Sequence, residues 1–227
     1  MKILIMTGGR TDKGFALGFL QKEEFDIRIV ADSALETWDK VGDKLSDSYK
    51  IDHLVGDFDS VSPRILEKYI NRDDITVHRF RPEKDYTDTD IAVRLAISLC
   101  TESGEEESSV TLLGATGTRL DHTLANLHLL VMMQKAGVRG CILDEHNRIR
   151  LLEGEETLHR EQAFGNYFSL LPVSPVLRRV SIEGAKYPLS RHDVFLGESI
   201  CVSNEYASDT VRICVEEGTA FLIESRD

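Results

Sequence analysis

The chain has 227 residues, 41% hydrophobic and 29% charged, which suits one large folded domain or two modest ones and excludes a disordered chain. A formal net charge of −12 argues against nucleic acid or an anionic membrane as the main partner, though local Lys, Arg or a metal can still favour phosphate at one site. No apolar run approaches the roughly 20 residues of a membrane span, and MKILIMTGG is too short an apolar start for a signal peptide.

In chain order, Lys2–Thr7 reads as a buried strand that ends in Gly8-Gly9. Further strands are expected at Phe25–Asp32, His53–Asp57, Ile75–Phe80, Ser109–Ala115 and Gly140–Glu145. Between them, Ile91, Ala92, Leu95, Ala96 and Leu99 form one helical stripe. Leu124, Leu127, Leu130 and Val131 form another within Leu120–Lys135. Strands alternating with helices predict an α/β domain with a mostly parallel sheet. After about Asn147 the texture changes to short strands separated by Gly, Pro and charged turns: IRLLEG, YFSLLPV, RRVSIEG, SICVSN, VRICVEEG and AFLIES. This predicts an all-β sandwich, with domains at 1–146 and 147–227. Cys100, Cys141, Cys201 and Cys214 lie apart in apolar runs, which suggests reduced core residues of a cytoplasmic protein rather than a zinc or disulfide framework.

Two stretches crowd like charges. GDFDSVSP places Asp57 and Asp59 after a predicted strand, where ligands of open α/β sheets bind, and EKDYTDTD adds Asp85, Asp88 and Asp90. An Asp-x-Asp pair can share a hard cation such as Mg²⁺, with Phe58 turned into the core. Alternatively, Asp59 or Ser60 caps the helix that runs past Pro63, and Thr87 caps a helix whose first turn favours acids. Two such clusters brought to one crevice would be costly without a cation. GATGTRLDH, Gly114–His122, follows the fifth predicted strand. Its glycines allow close backbone approach, and the next helix offers an N-terminus to phosphate. Arg119 can grip phosphate oxygens, and Asp121 and His122 can bind metal or move protons. The bland alternatives are an ordinary strand-to-helix turn for Gly114 and Gly117, an Arg119–Asp121 ion pair, and a supporting His122. Neither a P-loop nor a GxGxxG fingerprint occurs.

The order GDFDS, EKDYTDTD, GATGTRLDH and, late in the chain, KYPL and LGESICVSNEY resembles the thiamine pyrophosphokinase family, from Gly8 to about Gly218. The resemblance implies Mg²⁺-dependent transfer of pyrophosphate from ATP to the thiamine hydroxyl, giving thiamine diphosphate and AMP. It also implies an α/β domain that binds ATP and metal, a thiamine-binding β-sandwich, and a homodimer with active sites between subunits. Carried over by position, Asp57, Asp59 and Asp88 are the metal ligands, with Asp85 nearby. Asp32, Lys84, Gly114, Gly117 and Arg119 fall in the nucleotide site, Lys84 and Arg119 as phosphate contacts. Asp121 is the acid nearest the reacting hydroxyl, and Ser203 and Asn204 meet thiamine, Asn204 by reading its aminopyrimidine edge. Without the resemblance, Ser203-Asn204 reads as a β-turn.

Two positions depart from the family pattern, and a tryptophan that some members place in the C-terminal domain to stack on thiamine is missing there. Ser33 and Thr118 stand where glycine is common, which questions the backbone beside the nucleotide. Trp38, the one tryptophan, lies in the first domain and is read as a packing residue. Tyr206, Phe195 or a partner-subunit residue would therefore stack on thiamine. A metal-dependent glycosyltransferase with an Asp-x-Asp motif and a non-catalytic nucleotide- or thiamine-binding module are the rival readings.

Overall fold

Strand β1 (Lys2–Met6) is central to the first part of the chain, and Ile3, Leu4, Ile5 and Met6 are fully buried. A parallel strand covered on both faces needs such an unbroken apolar run, each side chain contributing about 1.5–3 kcal/mol on burial. In a computed structural model that describes residues 1–45, 50–81 and 85–227, the chain forms two compact units, Met1–Glu145 and His146–Asp227.

In the first unit β1 pairs in parallel with β2 (Ile27–Ala31) on one side and β5 (Ser109–Leu113) on the other. Beyond β2 lie β3 (His53–Gly56) and then β4 (Thr76–Arg79), and beyond β5 lies β6 (Arg139–Leu143), all parallel. The expected mostly parallel α/β sheet is therefore present. Helices α1 (Lys13–Leu20), α2 (Ala34–Gly42) and α3 (Pro63–Ile70) contact one another in sequence. Helix α4 (Asp88–Ser103) packs on β1, β2, β3 and α5 (Leu120–Lys135). Strand order reverses at β1, and the crevice beyond the strand ends at such a reversal is where open sheets bind ligands.

The second unit is all-β, built on the long antiparallel pair β7 (Asn147–His159) and β12 (Thr210–Ser225). The first part of β12 also pairs with β9 (Val176–Glu183), and its last part with β8 (Tyr167–Pro172); the register shifts between Val215 and Ala220. Strand β10 (Leu189–Phe195) extends β9, and the two-residue β11 (Asn204–Glu205) extends β8. Phe168, Leu170, Leu177, Ile182, Val211, Ile213 and Leu222 share its core. Two expectations are corrected. VRICVEEG and AFLIES are one strand, because the chain bulges between Val215 and Ala220 rather than turning. SICVSN is mostly turn. Glu224, 1% exposed, accepts two hydrogen bonds from Arg148 and a longer contact from Arg150 at 3.4 Å. A buried carboxylate needs that pairing.

Candidate functional site

The acidic site is made by two unusual backbone positions. Asp32 follows β2 with φ of 45°, and Phe58 follows β3 with φ of 64°. Left-handed conformations at non-glycine residues are uncommon and cluster at functional sites. Phe58 is 4% exposed, so its ring sits in the core as the sequence suggested, and its N–H donates to Asp32 Oδ1 at 3.0 Å. The turn lets Asp59 N–H donate to Asp57 Oδ1 at 3.1 Å. Asp32, Asp57 and Asp59 each place a carboxylate oxygen within 4.8 Å of the others. Gly56 makes the approach possible, since a Cβ there would stand 3.1 Å from Asp32 Cβ and 3.2 Å from its Cα.

The Asp32 carboxyl titrates above its usual range, first because burial penalises its charge and then because Asp88 and Asp57 are near; N–H groups of Ser33 and Phe58 pull the other way. A divalent cation would relieve this repulsion, and carboxylate oxygens are the donors a hard ion such as Mg²⁺ takes. The residues present therefore fit such an ion. Capping does not explain the pair: the α3 N-cap is Ser62, with Pro63 in the first turn, and neither Asp59 nor Ser60 fills that role. Thr87 does cap α4, its Oγ1 accepting from Asp90 N–H at 3.2 Å, so Asp88 enters the first turn.

Asp32 also borders a cleft of about 540 Å³. Its walls come from the ends of β1 and β5 and the start of α4, and include Gly8, Gly9, Arg10, Asp88, Gly114, Gly117, Arg119 and His122. The two glycine-bearing turns touch through backbone. A Cβ on Gly9 would lie 2.2 Å from Gly114 O. Arg119 and Asp121 form a two-bond ion pair, Nε–Oδ1 at 3.2 Å and Nη2–Oδ2 at 2.6 Å, with both side chains mostly exposed. The pairing lowers the Asp121 carboxyl's pKa and raises that of Arg119.

Asp57 and Asp59 are thus grouped with Asp32, while Asp88, Gly114, Gly117 and Arg119 line the cleft that Asp32 borders. Asp85 is exposed ahead of α4, and Lys84 lies outside the described residues. In the second unit, Ser203 is exposed with φ of 57°, and its N–H donates to Ser169 Oγ at 3.0 Å. Asn204 is 3% exposed. Its Oδ1 accepts from Tyr187 N–H at 3.0 Å and Glu205 N–H at 2.9 Å, and its Nδ2 donates to Tyr187 O at 2.8 Å. Its amide is thus largely engaged with its own loop. Tyr206 packs edge-on against Phe168, whereas Tyr187 and Phe195 are exposed.

Neither Ser33 nor Thr118 has a positive φ; Ser33 is right-handed at φ −58°, and the strain lies on Asp32. Trp38 is 2% exposed in α2, a packing residue. The sequence reading passed over Asn126 and Asp144. Asn126 occupies the buried α5 stripe with Leu129, Leu130 and Met133, where a lone amide is the signal.

The family model described as thiamin pyrophosphokinase, catalytic domain, matches residues 20–142, and that described as thiamin pyrophosphokinase, vitamin B1 binding domain, matches residues 155–219. A thiamine pyrophosphokinase of Bacillus subtilis (strain 168) is 29% identical over 173 residues, covering 76% of this chain and 77% of that protein. Thiamine pyrophosphokinase 1 of Oryza sativa subsp. japonica is 27% identical over 190 residues, covering 82% of this chain and 70% of its own. Among solved structures, the Bacillus subtilis thiamine pyrophosphokinase superposes with a TM-score of 0.82 at 25% identity, over all of both chains. The Geobacillus thermodenitrificans thiamin pyrophosphokinase does so with a TM-score of 0.77 at 27% identity, over all of this chain and 98% of that one.

Proposed function

Because the chain belongs to the thiamin pyrophosphokinase family, an enzyme family whose reaction moves pyrophosphate from ATP to thiamine, we propose that its chemistry runs at the cleft beside Asp32. The convergence of Asp32, Asp57 and Asp59 within 4.8 Å carries this reading. These three, with Asp88 from α4, would hold Mg²⁺. That ion would neutralise and orient the polyphosphate. Arg119, at the cleft wall, would hold phosphate oxygens as charge shifts onto the leaving AMP. Lys84 is proposed to assist it on the strength of the family motif alone.

The thiamine hydroxyl oxygen forms a bond to the β-phosphorus as the bond from that phosphorus to the α,β-bridging oxygen breaks. AMP leaves with the bridging oxygen. Asp121 would orient the hydroxyl and take its proton. The Arg119 pairing lowers the Asp121 pKa, which disfavours proton uptake. When Arg119 turns to phosphate, that restraint is lost, so nucleotide binding would prepare the proton acceptor.

Ser203 and Asn204 are proposed to shape the thiamine site, Asn204 by bracing the Tyr187 main chain. A homodimer is proposed because each unit exposes large apolar side chains, Leu120 and Leu124 in one and Phe195, Leu196 and Ile200 in the other. Light scattering that finds only monomer at working concentration overturns it. Cytoplasmic placement is proposed on cysteines that lie far apart in the sequence, within apolar runs, and fractionation tests it.

The assay for function is AMP release from Mg-ATP with thiamine, run beside nucleotide sugars. AMP and thiamine diphosphate in equal amounts support the reading. Consumption of a nucleotide sugar alone selects the glycosyltransferase, and nucleotide or thiamine binding without turnover selects the binding module.

A further inference from the structure

The turn from Gly114 to Gly117 is held one carbonyl at a time. Gly114 O accepts from Thr7 Oγ1 at 2.5 Å and from Gly9 N–H at 2.8 Å. Ala115 O accepts from Asn126 Nδ2 at 2.7 Å. Thr116 O accepts from Arg10 N–H at 2.8 Å, and the Thr116 hydroxyl donates to Asp144 Oδ2 at 2.8 Å.

In a trans peptide a carbonyl and the N–H that follows it point in opposite directions, and no described peptide is cis. The N–H groups of Ala115, Thr116 and Gly117 are therefore turned away from these anchors. All three residues line the cleft. Successive N–H groups presented together are what phosphate oxygens accept from.

The middle peptide differs from its neighbours. Main-chain donors of the Gly9-Arg10 turn help hold the peptides on either side, but a side chain of α5 holds Ala115 O. That side chain is 7% exposed and lines the same cleft. Asn126 otherwise interrupts an apolar stripe, and a buried amide is tolerated there because the carbonyl satisfies it.

We infer that Asn126 is a positioning residue for the nucleotide: its Nδ2–H···O=C bond to Ala115 fixes the orientation of the Ala115–Thr116 peptide, whose N–H is one of the three that the turn can offer to polyphosphate. This rests on the reading of the cleft as the nucleotide site. Asn126→Asp keeps the side-chain volume but sets a carboxylate oxygen against the Ala115 carbonyl, so the peptide turns over. Asn126→Ala removes the anchor without that repulsion.

The test is calorimetric binding of α,β-methylene-ATP with Mg²⁺, without thiamine, to the full-length protein and both variants. Steady-state kinetics and melting curves accompany it. Losing one aligned donor weakens binding by about tenfold, so the dissociation constant should rise by that factor or more, most in Asn126→Asp. The KM for ATP should rise with it while the KM for thiamine stays within about twofold. Analogue affinity within about twofold of the parent in folded variants overturns the inference while leaving the cleft as nucleotide site. A parent protein that does not bind the analogue overturns both. Parallel loss of ATP and thiamine parameters with a falling melting temperature assigns Asn126 to general stability and overturns it too. If Asn126→Asp does not fold, Asn126→Ala decides by the same criteria.

Discussion

Replacing Asp59 by Asn should make the metal-free protein slightly more stable while stopping its chemistry. Asp59 shares a 4.8 Å neighbourhood with Asp32 and Asp57, and removing one charge relieves two repulsions. At that separation a unit-charge pair repels by ~1 kcal/mol in a water-like medium and ~3 kcal/mol at an effective dielectric of about 20. Asp59 is exposed, so the water-like end applies and a net gain of about 1 kcal/mol is expected at low salt, shrinking as salt screens it. The hydrogen bond from the Ser60 hydroxyl survives, because asparagine retains Oδ1 as acceptor. A gain of that size raises the melting temperature by about 2–4 °C in a protein of this length. The assay is a pair of melts, in EDTA and in excess Mg²⁺ with α,β-methylene-ATP, together with AMP release. The parent should gain stability from Mg²⁺ and nucleotide, the variant little, and turnover should fall by at least about a hundredfold. A variant that melts lower in EDTA, or that releases AMP at a near-parental rate, refutes the reasoning.

Other outcomes follow from the same structure. Gly56→Ala adds a Cβ about 3.1 Å from Asp32 Cβ, so it should displace Asp32 and lower turnover together with Mg²⁺ affinity, read by metal titration of activity. Glu224→Ala strips Arg148 and Arg150 of a buried acceptor and should lower the stability of the β unit by about 3 kcal/mol in urea unfolding. His53 and His78, with Nδ1 and Nε2 3.1 Å apart, both have pKa values lowered from 6.5, chiefly by burial. The unfolded chain therefore takes up protons first as pH drops, and stability should fall below pH 6.5 until the folded histidines titrate in turn. The double variant His53→Gln/His78→Gln should flatten that part of the urea-midpoint profile; an unchanged slope contradicts the assignment.

What the sequence made legible depended on periodicity. The apolar run of β1 and the stripes of α4 and α5 stated their environment directly. The strands of the second unit were harder, because Gly218 is a turn signal wherever it occurs, yet here it sits in a bulge within the 16-residue β12. Asp57 and Asp59 were readable as a pair with a shared task. That Asp32 joins them was not, since the contact depends on left-handed backbone at Asp32 and Phe58 that no local pattern announces. The concern over Ser33 came from the right stretch and the neighbouring residue. Asn126 escaped notice because a helical stripe is read for its apolar members, and the polar one carries the information.

The most direct measurement is a crystal structure of the protein with Mg²⁺, α,β-methylene-ATP and thiamine. A divalent ion about 2.1 Å from carboxylate oxygens of Asp57 and its neighbours, also touching the polyphosphate, with the thiamine hydroxyl facing the β-phosphorus, is the predicted result. Polyphosphate bound away from these carboxylates, or Asp57 and Asp88 unable to reach one nucleotide, would contradict the account.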